Sequence, residues 1–266
     1  MTTLYVNNKH NKDLDLVTAI NFAKPFDTIK IAKGTYFDDD HPYYFNIKKS
    51  LTLVGDGKVR LNACFVIGGD IQFSLENLTI SSEDDEHNTI AIFDQARFYA
   101  ESVKFIHPAK SKWNTIYCQD STCTLNNSVV STENIETSGL MFTNSLVILF
   151  NDTINTVYFN NSNCQLKKCL INHSIGVDYN SMLTFDTLTI NGNEHCDDSD
   201  IYVMNNSSLE GQYLNLTSKT PVIDIAISSF ENNYFGSNSE NIEWNYDDES
   251  TVLADGSAPF NNGDLE

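Results

Sequence analysis

Arginine is almost missing from this sequence. Arg60 and Arg97 are the only two, and Lys and Arg together number 16 against 36 Asp and Glu, for a formal net charge of -20. A nucleic-acid backbone is held by clustered cations, so this composition argues against nucleic acid as a partner. It also disfavours an anionic membrane surface, and it repels polyanionic glycans unless a divalent cation bridges them. No apolar stretch is long enough to span a bilayer. The start, Met1 to Val6, has no basic region followed by an apolar run. The six cysteines, at 64, 118, 123, 164, 169 and 196, form no CxxC pair, which argues against a zinc knuckle or a dithiol redox motif. Scattered cysteines without an export signal point to a reduced, cytoplasmic setting. Serine nucleophile elbows, phosphate loops and HExxH are missing as well. What remains for so acidic a chain is solubility, cation binding or contact with a basic partner.

What the chain does have is a repeat. The blocks IQFSLENLTI (71–80), ARFYAESVKF (96–105), STCTLNNSVV (121–130), SLVILFNDTI (145–154), SNCQLKKCLI (162–171), SMLTFDTLTI (181–190) and SSLEGQYLNL (207–216) align without a gap. Their third column reads Phe73, Phe98, Cys123, Val147, Cys164, Leu183, Leu209. Their fifth reads Leu75, Ala100, Leu125, Leu149, Leu166, Phe185, Gly211, and their last Ile80, Phe105, Val130, Ile154, Ile171, Ile190, Leu216. Alternation within a block is the period of a strand with one buried face. A shorter apolar strand precedes each block, for example Ile90/Ile92 and Ile116/Cys118. Between the two sits a polar column, Asp70, Gln95, Asp120, Asn144, Asn161, Asn180, Asn206, usually followed by Ala or Ser. Residues of that type suit a tight corner and can hydrogen-bond along a stack. A mean repeat of about 22 residues fits an all-β chain wound as a single right-handed parallel β-helix, a solenoid of about 9–10 three-sided coils. Cys123 and Cys164 read as core packing.

At the N-terminal end, residues 13–23 read as a short helix stopped by Pro25, which would cap the open end of the solenoid. It is followed by DTIKIAKGTY (27–36) and LTLVGDG (51–57). In this order, over about residues 3–235, the chain resembles the pectate lyase-like (pectin lyase-like) right-handed parallel β-helix superfamily. That resemblance implies the fold; residues 236–266, rich in Asn, Asp, Glu, Ser and Gly, read as an acidic tail or irregular cap. It implies no one activity, because the superfamily includes lyases, hydrolases, epimerases, phage spikes and non-catalytic proteins.

The candidate chemistry lies in the loops. Asn191 to Asp200 brings together Asp197, Asp198 and Asp200, which could hold Ca²⁺ or serve as the acid and base of glycoside hydrolysis. His195 and Cys196 add transition-metal donors, though two adjacent residues chelate poorly. A solvated acidic loop explains the same residues, and the same holds for 82–87. In the loop 107–113, Trp113 offers a stacking face for a sugar and Lys110 or Lys112 a partner for a carboxylate; the alternative is a Trp folded over the solenoid side. His173 lies in a short corner, on the expected floor of a groove walled by the longer loops. Related pectate lyases, by the resemblance, use a strand-borne Arg or Lys beside Ca²⁺-binding aspartates. Arg97 is expected to face outward but has no Asp trio on neighbouring strands, and the motifs NTD, GHG and RIK are absent.

The expected function is therefore a non-catalytic β-helix that binds a glycan or a protein along a lateral face, with no cofactor. The alternative is a carbohydrate-active enzyme, either a Ca²⁺-assisted polysaccharide lyase or a carboxylate-pair glycoside hydrolase, working among the corner loops. A nucleic-acid mimic would need regularly spaced surface carboxylates, and these are clustered.

Overall fold

A computed structural model describes residues 2–7, 14–37, 42–82, 84–108, 111–132, 139–192, 199–237 and 242–254. The protein is all-β, with the turns of a parallel β-solenoid, about nine in all, and a single short helix among the described residues. Two compact units are distinguished, Met1–Leu140 and Met141–Glu266, and each is built from the same kind of coil.

In the N-terminal unit the first strand column runs through Thr3–Val6, Asp27–Tyr36, Leu51–Gly68, Gln72–Glu76, Arg97–Glu101 and Thr122–Asn126, each parallel to the next. The second column takes the far part of Asp27–Tyr36, the middle of Leu51–Gly68, then Thr79–Ser81, Lys104–His107 and Val129–Thr132. The third takes Tyr43–Ile47, the end of Leu51–Gly68, Ile90–Phe93 and Ile116–Gln119. The register sets Phe73 against Phe98 and Phe98 against Cys123, Leu75 against Ala100 against Leu125, and Ile80 against Phe105 against Val130. All are buried. Side chains of one column lie about 4.8 Å apart along such a stack, so a repeated apolar position becomes a continuous core.

The C-terminal unit repeats the scheme. Its first column is Leu146–Phe150, Asn163–Lys167, Met182–Ile190, Ser208–Leu216, Ser229–Ser237 and Thr251–Ala254. Val147, Cys164, Leu183, Leu209 and Phe230 stack inside it. Gly211 interrupts its neighbouring column because the ring of Phe185 fills the space: a Cβ on Gly211 would lie 2.3 Å from that ring. The third column is Val157–Asn160, Ile175–Asp178, Ile201–Met204, Val222–Ala226 and Glu243–Tyr246. Strand pairing thus continues past residue 235, into the stretch whose composition suggests a tail or cap.

Three local features differ from the sequence reading. The ten-residue block is one strand only in the later coils; in earlier ones it bends at Asn77, Ser102, Asn127, Asn151 or Lys168, whose φ angles lie between 51° and 56°. The helix is Leu16–Phe22, capped by Asp15, whose Oδ1 accepts from the Thr18 N–H at 2.8 Å; it packs Leu16, Ala19 and Ile20 against the first strands. Lys49 Nζ donates to the carbonyls of Asn21 and Ala23 at its far end. Finally, the polar column does sit at left-handed corners, as at Asp120, Asn144, Asn161, Asn180 and Asn206. Yet the longer amide ladder runs elsewhere, one residue past each block: Asn172 Nδ2 donates to Asn155 Oδ1 and Asn191 Nδ2 to Asn172 Oδ1, both at 3.1 Å. Thr217 Oγ1 then donates to Asn191 Oδ1 at 2.9 Å.

Candidate functional site

Alternation along the third column of the N-terminal unit turns Phe45, Phe65, Ile67, Ile90, Ile92, Ile116 and Cys118 into the core. Of the intervening residues, Asn46, Val66, Phe93 and Tyr117 face out, whereas Ala91 is buried. Asn46, Val66, Ala91 and Tyr117 share one register position, and Gly68 pairs with Phe93. An open cavity of about 590 Å³ lies on this face, lined by Asn46, Lys48, Val66, Gly68, Phe93 and Asp94. Phe93 and Tyr117 stand side by side, ring centroids 5.7 Å apart. Tyr117 is fixed through its hydroxyl, which donates to Gln119 Oε1 at 2.9 Å, while Gln119 Nε2 donates to Asp120 Oδ2 at 3.1 Å.

Two long corners edge the same face. In the first, Asp84 is buried; its Oδ1 accepts from the Glu86 N–H at 2.7 Å and its Oδ2 meets His87 Nδ1 at 2.9 Å. The His87 side chain is exposed and its ring meets the edge of Tyr44 at 5.1 Å. Ser82 Oγ accepts from the Asp84 N–H and lies 3.1 Å from Cys64 Sγ. In the second, Ser111 Oγ donates to the Asp85 carbonyl at 3.4 Å and accepts from the Trp113 N–H at 3.0 Å, tying the two corners together. Trp113 itself is 49% exposed. Beneath it His107 is wholly buried, with Nδ1 2.8 Å from Thr89 Oγ1. Burial pushes its pKa down to about 4, against an opposing pull from the Asp84 charge.

This arrangement supplies flat apolar rings, amide and hydroxyl groups and one cation, which is the equipment for the apolar and polar edges of a sugar ring. It also presents a histidine whose Nδ1 is held by a buried carboxylate, the orientation that leaves Nε2 to act as acid or base. Sequence reasoning missed Phe93, Tyr117 and Tyr44, and it weighed 82–87 as an acidic loop without pairing Asp84 with His87. The outward alternation around Ile90/Ile92 and Ile116/Cys118 was the available signal for the first two.

Trp113 lies on the N-terminal unit, at the edge of the face just described. Lys110, His195, Asp197 and Asp198 lie outside the described residues. Asp200, in the C-terminal unit, is buried with 3% exposure; its Oδ2 accepts from Ser218 Oγ at 2.8 Å and the Val222 N–H at 3.2 Å. His173 is half-buried, its pKa lowered by that burial, and its amide donates to the Asn155 carbonyl at 2.8 Å. Arg97 faces outward and pairs with Asp70 Oδ1 at 2.9 Å. On the third column of the C-terminal unit, Asp178 is occupied as well, by the Tyr158 hydroxyl and Asn205 Nδ2, both at 2.6 Å. Burial and this carboxylate raise the Tyr158 pKa well above its ordinary value. Among the described residues no three His, Cys, Asp or Glu side chains are placed to hold a metal ion.

Parallel columns, tight left-handed corners, one variable corner and a helix-covered first coil together decide the fold type. It is a parallel β-helix. No protein-family model matches the chain. No curated protein matches it either. Among solved structures it is similar to an alginate lyase from Paenibacillus sp. str. FPU-7, at 11% identity over 95% of this chain and 99% of that one, with a TM-score of 0.49. It is similar also to a pectin methylesterase from Aspergillus niger, at 12% identity over 89% and 85% of the two chains, TM-score 0.45. For the pectate lyase Pel9A the identity is 10% over 90% and 80%, with a TM-score of 0.41. Likeness at this level concerns the fold and assigns no activity.

Proposed function

We propose that this protein is a non-catalytic β-helix that binds a glycan on the third-column face of its N-terminal unit. The observation that carries the reading is the row Phe93–Tyr117 beside the 590 Å³ cavity, on rigid parallel strands rather than on loops. Rings fixed on strands stack on a sugar without first being ordered, which keeps the entropic cost of binding small. Asn46, Lys48 and Asp94 line the same cavity and offer polar partners for sugar hydroxyls.

A second reading, a carbohydrate-active enzyme, draws on the Asp84–His87 pair. Both readings are tested by one glycan array, run with and without Ca²⁺, on the wild type and on Tyr117→Ala. Binding that weakens at least tenfold in Tyr117→Ala, with no new reducing or unsaturated ends released from the bound glycan, is the expected result. Release of such ends that stops in His87→Ala establishes the enzyme instead. Silence on every glycan overturns both and leaves a protein partner.

A further inference from the structure

We infer that a second site, on the second strand column of the N-terminal unit, binds a tetrahedral oxyanion, either free phosphate or sulfate or the same group as an ester on a larger ligand. An open cleft of about 600 Å³ lies there. Its lining includes Lys58, Arg60 and Lys104 and, among the described residues, no Asp or Glu. The chain carries 36 acidic residues against 16 basic ones, so three cations lining one cleft run against the balance of the chain.

The backbone builds this placement. Arg60, Thr79 and Lys104 occupy one register position on three successive parallel strands, so Arg60 and Lys104 stand about 10 Å apart along the stack, twice the strand spacing. Lys58 precedes Arg60 by two residues and is brought in where the register shifts between Ala32 and Gly34. Lys33 lies beside the lining Gly57, where an added Cβ would sit 3.4 Å from the Lys33 Cβ. Arg60 is oriented by Nε, which donates to Ser81 Oγ at 2.9 Å. The carboxylate of Glu101, next to the lining Ser102, is taken up by hydrogen bonds from Tyr99, Asn126, Asn127 and Ser102. Those hydrogen bonds, the Tyr99 one foremost, hold its pKa below the usual carboxylate value.

A dianion with three or four acceptor oxygens matches this set better than a carboxylate does. A guanidinium offers it a planar pair of donors, the ammonium groups add point charge, and the hydroxyl of Thr79 and the amide of Asn77 supply neutral donors among the lining groups. The site is separate from the aromatic face and does not depend on the glycan reading.

The test is calorimetric titration of the whole protein at low ionic strength with inorganic phosphate and inorganic sulfate, then with glucose 6-phosphate and a sulfated disaccharide. Binding of the free ions identifies a free oxyanion as ligand; binding of the esters alone identifies the ester. In either case the double variant Lys58→Glu/Lys104→Glu weakens binding at least tenfold, and Lys30→Glu, on another column, leaves it within twofold. Lys58→Gln/Lys104→Gln serves if the reversed variant does not fold. No binding of any of the four probes at millimolar concentration overturns the inference, as does binding that survives both double variants.

Discussion

The amide N–H of Ser145 donates to the hydroxyl oxygen of Ser162 at 3.1 Å, and that hydroxyl in turn donates to the Asn160 carbonyl at 2.8 Å. The same contact recurs from Ser162 to Ser181, from Ser181 to Ser207 and from Ser207 to Ser228. One buried hydroxyl per coil therefore satisfies two backbone groups at the corner, where the chain turns too sharply for strand pairing to do so. Replacing Ser162 by Ala removes an acceptor and a donor together. The expected cost is about 1–3 kcal/mol, read from urea denaturation of the variant against the wild type.

Gly211 and Gly176 provide a matched pair. A Cβ on Gly211 would lie 2.3 Å from the ring of Phe185, which is 5% exposed; on Gly176 it would lie 2.1 Å from Tyr202, a residue of the outer face. Phe185 has nowhere to go, whereas Tyr202 can swing into solvent. Gly211→Ala should cost about 1–3 kcal/mol and Gly176→Ala clearly less, measured by the same denaturation.

These two sets of contacts mark how far the sequence could be read. The inward columns were legible because every coil repeats an apolar residue at the same place, and Phe73, Phe98 and Cys123 do stack. The serine column was visible as a pattern of small residues, though not as a bonded ladder. The bend inside each block was hidden because the residue that makes it varies: Ser102 and Lys168 carry no left-handed signature, and Thr187 and Tyr213 at the equivalent places continue a straight strand. The Asp84–His87 contact depends on how one corner folds over its neighbour, which residue spacing does not report.

Stability should fall with acid. His107 is buried and uncharged, with a pKa of about 4 against 6.5 in the unfolded chain. The unfolded state therefore takes up the proton first, so this contribution is complete above about pH 6.5 and is lost as the pH falls toward 4. Those 2.5 pH units correspond to about 3 kcal/mol. Burial of His173 acts in the same direction. Denaturation midpoints between pH 7 and pH 4 check this, and a shallower slope is expected for His107→Gln.

Asp200 carries a structural duty that activity assays alone would misread. Its carboxylate bonds Ser218 and Val222 in the interior of the C-terminal unit. Asp200→Ala should cost about 1–3 kcal/mol through the unpaired groups it leaves behind. Glycan binding by the folded variant should match the wild type.

The glycan reading stands most directly on where a bound sugar sits. A crystal structure of the protein with whichever oligosaccharide it binds most tightly is predicted to show a pyranose ring over Phe93 and Tyr117, with a hydroxyl within hydrogen-bond distance of Lys48 or Asn46. Density for the sugar on the C-terminal unit alone, with that aromatic row bare, would contradict the account.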